Sequence, residues 1–220
     1  MHTLTLRDTA PITHDTVRMT FERPDGYPDW EVGQAADLAL DREGWRDEAK
    51  PYTFVNPPGS DEIVFVIRSK DEHDGVSCRI TDLKPGATVL AGDPRGEIRD
   101  RGPGVFLAAG VGLTPMIPIL RALADRGEGG VLVLSDKDER DLLLKDEWDA
   151  IPHLHVLCVL SDEEKPGFHH GRIDDAVLDA AQVGPGTTVY VCGPKPMEED
   201  MVELLRARGV TDANIVKEDH

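Results

Sequence analysis

Cationic side chains are scarce in this chain, and so are cysteines and long apolar runs. Of its 220 residues, 24 are Lys or Arg against 42 Asp or Glu, a formal charge of −18 at pH 7. So acidic a chain repels polyanions, which makes nucleic acid and anionic membrane surfaces poor partners. It also suits a saline cytoplasm, where an acidic surface stays soluble. The three cysteines, Cys78, Cys158 and Cys192, are odd in number and none has Cys-x-x-Cys spacing. That argues against a disulfide framework, a structural zinc site or an iron–sulfur cluster. No apolar stretch approaches the roughly 18 residues of a membrane span. The N-terminal "MHTLTLRDTAPITHDTV" is polar and has no signal-peptide core. We therefore expect a cytoplasmic protein of a reducing compartment, without membrane insertion. Internal repeats and low-complexity segments are missing too.

What remains is 40 % hydrophobic, enough to bury one large core or two cores of roughly a hundred residues each. The pattern changes near residue 100. Before it come short alternating runs, "HTLTL", "TVRMTFE", "AADLAL", "YTFV", "EIVFVIR" and "ATVLAG", separated by Pro, Gly and Asp clusters. Such spacing reads as an antiparallel β-barrel or sandwich, with one short helix at "SCRITDL". After "RDRGPG" the runs "VFLAAG", "GVLVLS", "LHVLCVL" and "TVYVCG" are nearly continuous in apolar residues. Parallel strands buried on both faces look like this. Helical patterns lie between them: Ile173, Val177 and Ala181 share one face, and Met197, Met201, Leu204 and Leu205 share another. The expected fold is a two-domain chain, an antiparallel barrel over residues 1–101 followed by an α/β parallel-sheet domain over 102–220.

The turn after "VFLAAG" carries Gly110 and Gly112, which permit a tight bend and close approach of a ligand to the backbone. Thr114 is placed to cap the next helix, with Pro115 at its first position. Pro118 then implies a kink or a later start. A helix N-terminus over such a turn favours a pyrophosphate, although a tight turn without a ligand reads the same way. Later, "VYVCGPKPM" brings another strand into Cys192-Gly193-Pro194.

A strand ending in Gly-x-Gly-x-x-Pro, followed later by Cys-Gly-Pro at a strand end, resembles the ferredoxin–NADP reductase superfamily. The barrel half resembles it too: "KPYTFVN" is similar to that family's flavin motif, and "HDGVSCRI" to its phosphate-binding helix start. "VGQAADL" and "AGDPRGEI" add two further matches. The resemblance implies an FAD-binding barrel, with FMN as runner-up, and an NAD(P)-binding domain. On the flavin side it implies Tyr52 against the isoalloxazine ring, Thr53 with its hydroxyl at flavin N5, and Lys50, beside Pro51, on the flavin phosphate. Lysine replaces the usual arginine there and loses bidentate geometry. Val66, Ile67 and Arg68 would flank the flavin, and Gly75, Val76 and Ser77 would meet phosphate. On the nicotinamide side, Gly110, Gly112 and Thr114 would cradle pyrophosphate, with Cys192, Gly193 and Pro194 beside the nicotinamide. Cys192 is also readable as a small buried filler, but the nicotinamide contact is the favoured reading, without nucleophilic chemistry.

The same resemblance implies that "NIVK" is the final parallel strand and delivers Glu218 and His220 toward the flavin. Glu218 would stand near Thr53 as a proton relay, unless the terminus is a frayed tail. "DKDERD", Asp136 to Asp141, reads as a solvated loop that in the family meets the adenosine ribose. Its acids favour NADH over NADPH, against Lys137 and Arg140. The paired histidines, His153 with His155 and His169 with His170, lack a third ligand at metal spacing, so no metal is expected. The implied activity is a reductase passing electrons from NAD(P)H to an acceptor protein such as a ferredoxin, flavodoxin or oxygenase component. A flavin or quinone reductase with a diffusible acceptor, and a non-enzymatic flavin-binding regulatory subunit, are the alternatives.

Overall fold

Period-two patterning in the first hundred residues is realised as six antiparallel strands: β1 (His2–Pro11), β2 (Thr16–Glu22), β3 (Ala35–Leu40), β4 (Lys50–Thr53), β5 (Glu62–Arg68) and β6 (Thr88–Ala91). The computed structural model describes residues 1–69, 75–96 and 98–218. It divides into two units, Met1–Arg99 and Asp100–His220.

In the first unit the strand order is β4-β3-β6-β1-β2-β5. The two outer strands then meet. Just past β4, the Val55 N–H donates to the Val64 carbonyl of β5 at 3.0 Å. Asn56 completes the seam, donating to the Glu62 carbonyl at 2.7 Å and accepting from the Val64 N–H at 2.9 Å. A nearly closed barrel results, and closure removes the unpaired edges that an open sheet would expose. Its interior is the alternate set of side chains, Met19 and Phe21 from β2 and Ile63, Phe65 and Ile67 from β5. Trp30 stacks on Phe54 at 4.7 Å between centroids. One short helix, α1 (Val76–Thr81), buries Val76 and Ile80 in this core.

The second unit is a parallel sheet of β7 (Val105–Ala109), β8 (Gly130–Asp136), β9 (Leu154–Leu160), β10 (His169–His170), β11 (Val189–Cys192) and β12 (Ile215–Val216). Helices α2 (Ile117–Asp125), α3 (Lys145–Asp149), α4 (Asp175–Ala180) and α5 (Lys195–Ala207) connect them. The order is β10-β9-β8-β7-β11-β12. On one face Leu107, Val133, Val159 and Val191 pack with Val177 of α4 and Met201 and Leu205 of α5. The alternate positions are also buried, and Phe106 stacks on Tyr190 at 4.3 Å with nearly parallel rings. Burial on both faces is why these strands read as unbroken apolar runs. The short "NIVK" strand is found as β12, parallel to β11.

The segment after β7 departs from expectation. Thr114 does not cap the next helix. Gly110–Leu113 forms a 3₁₀ turn, the Thr114 hydroxyl donates to the Val111 carbonyl at 2.9 Å, and α2 begins at Ile117 with Met116 as its N-cap. Pro118 thereby falls at the second helical position, where no intrahelical partner exists for an N–H in any case. The proline moved the start rather than kinking the helix. Among the described residues no helix is long and apolar enough to cross a membrane.

Candidate functional site

The chain runs from β7 outward through β8, β9 and β10, then returns to lay β11 on the other side of β7. Ligands of open α/β sheets bind at such a switch point, beyond the carboxyl ends of the strands. Here the two turns that follow β7 and β11 lie together, because Cys192 is in register with Ala108.

These turns interlock. Gly110 has φ +55°. A Cβ on Gly112 would stand 2.2 Å from the Cys192 carbonyl oxygen and 2.7 Å from the Gly193 nitrogen. A Cβ on Gly193 would meet the Ala109 Cβ at 2.9 Å and the Met197 sulfur at 3.1 Å. Both glycines are therefore required by space rather than by conformation. Cys192 is half-buried, and burial, followed by the Glu218 and Glu198 carboxylates, pushes its thiol far above the ordinary cysteine range. At neutral pH it is a thiol and not a nucleophile. Glu198 is itself 4 % exposed and accepts the Gly193 N–H at 3.0 Å.

A cavity of about 740 Å³ opens beside these turns, starting at Ala109 and Pro194 and running past Ser135 at the end of β8. Ile173, Met197, Met201 and Leu204 give it apolar walls, and Arg172, Asp200 and Glu203 bring charge. Its size is that of a small-molecule site. Of the loop from Asp136 to Asp141, expected as solvated, Asp141 is buried. Lys137 is exposed, and the Arg140 Nε donates to the Asp138 carboxylate at 3.0 Å, so one of the two loop cations is already engaged by an acid. His153, His155 and His170 are exposed, and His169 lies 3.4 Å from the Asp174 carboxylate.

In the first unit, β4 presents Lys50 and Pro51 exposed, Tyr52 half-buried and Thr53 buried. The Tyr52 hydroxyl shares a 2.8 Å hydrogen bond with the Ser77 hydroxyl of α1. Burial raises the Tyr52 phenol above its ordinary value, and the Ser77 bond opposes this. Gly75 is the N-cap of α1, with extended backbone, and Val76 is buried. On β5, Val66 and Ile67 are buried. Arg68 reaches across the β2–β5 pairing to Asp15 at 3.2 Å and the Thr16 hydroxyl at 3.3 Å. For Asp15, burial raises the carboxyl, but hydrogen bonds from Thr13 and Thr16 and the charge of Arg68 bring it below the ordinary value. A planar contact that sequence reasoning missed lies on α1, where the Arg79 guanidinium sits 4.4 Å over the Trp45 ring.

Thr53 thus belongs to the first unit, and Glu218, half-buried just past β12, to the second. His220 lies outside the described residues. Glu198 was missed as well. In "MEEDMVELL" it looks like one acid of a solvated helix face, and only the bend of the preceding turn brings its oxygen onto the Gly193 N–H.

The family model for the oxidoreductase NAD-binding domain matches residues 106–203. The chain is 30 % identical over 194 residues to the NADH oxidoreductase HCR of Escherichia coli, a match covering 85 % of this chain and 58 % of that protein. It is 27 % identical over 232 residues to the reductase subunit of an aromatic O-demethylase from Amycolatopsis, covering 98 % and 68 %. The chain thus spans only part of each relative's length. Among solved structures, a ferredoxin NADP⁺ reductase from Neisseria gonorrhoeae with bound FAD and NADP shares the fold. Its TM-score is 0.84 at 18 % identity, over 99 % of this chain and 97 % of that one.

Proposed function

We propose that this chain, which belongs to the ferredoxin reductase-like family of oxidoreductases, is a flavoprotein reductase that takes hydride from NAD(P)H and passes electrons to an acceptor protein. The observation that carries this reading is the pair of turns at the β7–β11 switch point, which Gly112 and Gly193 allow to pack backbone against backbone at the mouth of the cavity lined by Ala109 and Pro194. The residues present fit the two groups the reading requires, FAD and a nicotinamide dinucleotide.

The flavin is assigned to residues 1–101. Tyr52 offers an aromatic face with a polar tip already bonded to Ser77, a pair suited to a ring above and a phosphate or ribityl hydroxyl beside it. Lys50 is exposed and bears the phosphate charge. Arg68 has less to give, since Asp15 shares its guanidinium. Val66, Ile67, Gly75 and Val76 supply backbone contacts. Thr53 holds a hydroxyl at the reacting edge of the ring.

The dinucleotide is assigned to residues 102–220. Gly110, Gly112 and Thr114 bind the pyrophosphate, and Cys192, Gly193 and Pro194 hold the nicotinamide. The cavity between Ile173 and α5 takes the adenosine half. Asp136, Asp200 and Glu203 disfavour a 2′-phosphate, so NADH is the preferred donor. Cys192 contributes shape rather than nucleophilicity, its thiol being held protonated. Glu218 is assigned a proton-holding role toward the flavin.

When bound, the flavin converts a two-electron hydride into single electrons that an acceptor can take. The Amycolatopsis relative, named as a reductase subunit, supports a protein acceptor. Three free cysteines support the reducing, cytoplasmic compartment.

The test is direct. Purified protein is expected to be yellow or to take up FAD in preference to FMN, and to bleach on anaerobic addition of NADH. Protein that stays colourless with both flavins would overturn the proposal. Turnover with ferredoxin, flavodoxin and free flavin, compared across salt concentrations, then separates a protein acceptor from a diffusible one.

A further inference from the structure

Among the buried carboxylates that the functional reading leaves unused, one stands beside the interlocked turns. Glu198 is 4 % exposed on the first turn of α5. Removing a carboxylate from water is unfavourable and persists where hydrogen bonds offset it. One such bond comes from the turn just ahead of the helix. Helix α5 starts without a side-chain cap, since Pro194 is its N-cap and has none to offer. The N–H groups of Met197 and Glu198 both turn to the Pro194 carbonyl, at 2.8 and 3.1 Å. The Gly193 N–H lies ahead of the helix, where no backbone acceptor of α5 can serve it. Glu198 Oε1 reaches back and accepts it at 3.0 Å. This is related to the reciprocal half of a capping box but spans five residues, from the fourth helical position to the residue before the N-cap.

The bond has leverage beyond its own helix. The peptide that joins Cys192 to Gly193 is the one against which Gly112 is packed without room for a Cβ. Any rotation of that peptide displaces the Gly110–Leu113 turn too. Ala109 and Met197 close the remaining space around Gly193. Glu198 thus holds one end of a peptide that is packed against Gly112, so a change in its orientation reaches the second turn.

We infer that Glu198 is a positioning residue of the nicotinamide site: its carboxylate oxygen fixes the Cys192–Gly193 turn by accepting the Gly193 N–H. The inference rests on the assignment of that turn to nicotinamide. What matters is the reach of the acceptor, not its charge. Glutamine keeps an oxygen at the same distance along the side chain, aspartate keeps the charge but is one methylene short, and alanine removes both.

Three variants, Glu198→Gln, Glu198→Asp and Glu198→Ala, decide it by two readouts. The first, independent of activity, is the hydrogen-exchange rate of the Gly193 amide by NMR in the full chain. The second is the limiting rate of flavin reduction by NADH, with the NADH Kd measured alongside. The Asp and Ala variants are expected to exchange Gly193 about tenfold faster and to lose about tenfold in limiting rate, the upper scale of one ordinary hydrogen bond. Their NADH Kd should change by less than about threefold, since the bond orients rather than binds. Glu198→Gln should stay within about threefold of the parent in all three measurements. Unchanged Gly193 exchange in the Asp and Ala variants would overturn the inference. So would a Gln variant that behaves like Ala or fails to fold, because its acceptor and reach are intact. If the parent protein is not reduced by NADH at all, the functional reading fails, and the exchange rates still decide the positioning.

Discussion

Substituting Gly112 by alanine tests the interlocked turns most severely. The added Cβ would lie 2.2 Å from the Cys192 carbonyl oxygen, 2.5 Å from its carbon and 2.7 Å from the Gly193 nitrogen. All three are backbone atoms, so no side chain can swing aside. Comfortable contact begins near 3.5 Å, so the turns after β7 and β11 must part by roughly 1 Å. Overpacking of this kind costs about 1–3 kcal/mol, and a backbone clash belongs at the upper end. For a unit the size of Asp100–His220, each kcal/mol shifts Tm by roughly 3–5 °C. A loss near 10 °C follows. Function should suffer more, because a misplacement of about 1 Å at a reacting centre costs on the order of 100-fold in rate. The control is Gly184→Ala, where a Cβ meets nothing within 4 Å and φ is not positive. That change should be neutral or stabilising by up to about 1 kcal/mol through the unfolded chain. Thermal unfolding by circular dichroism and stopped-flow reduction by NADH read both effects. A Gly112→Ala protein that melts within about 1 °C of the parent and is reduced at the parental rate would refute the reasoning.

Other expectations follow from single contacts. Tyr52→Phe keeps the ring but removes the 2.8 Å bond to Ser77, so flavin release should accelerate several-fold and stability should fall by about 1 kcal/mol; unchanged flavin retention would free Tyr52 of that role. Asp15 has a lowered carboxyl value in the folded chain, so its stabilising contribution is complete above the ordinary value of 3.8 and disappears as pH falls through the lower folded value. Asp15→Asn should therefore melt lower than the parent at neutral pH, with the gap closing as the pH falls below 3.8. Equal Tm values at pH 7 would show that the Thr13, Thr16 and Arg68 contacts contribute nothing net. On nucleotide choice, kcat/KM should favour NADH, and Asp136→Ser or Asp200→Lys should move preference toward NADPH. A parent protein that prefers NADPH would mean that Lys137 or Arg172 governs the ribose end.

The two folds were legible because each strand class writes a different pattern. β2 and β5 alternate because one side of the barrel wall is core, whereas β7 and β11 run apolar because both faces are covered. Local turn chemistry was less transparent. Thr114-Pro115 has the composition of a helix start, yet the 3₁₀ turn over Gly110–Leu113 satisfies the Thr114 hydroxyl and delays α2 to Ile117. The glycines were visible as permissive residues, but not the reason for them, which is a backbone 80 positions further along the chain. Side chains whose partners come from tertiary packing left no local signal. Glu198 has the spacing of a solvent-facing acid, Asp141 sits in a charge run and is buried, and the Arg79–Trp45 stack joins two segments that no periodicity connects.

The strand order has a consequence for how the molecule comes into being. The Arg101 N–H and the Tyr190 hydroxyl that bind each other are 89 residues apart, and β7 waits for β11 across most of the second unit. During synthesis β7 can pair with β8 early, but its other margin stays bare, flanked by apolar side chains, until Val189–Cys192 leaves the ribosome. A bare, apolar margin of this kind invites pairing with other nascent chains. The closing strand is also the one that brings Cys192 and Gly193 against Gly112. Capture of the dinucleotide therefore cannot precede the pairing of β11 with β7. Ligand present during translation would act only on chains that have already passed their most aggregation-prone stage, and would trap them on the far side of it.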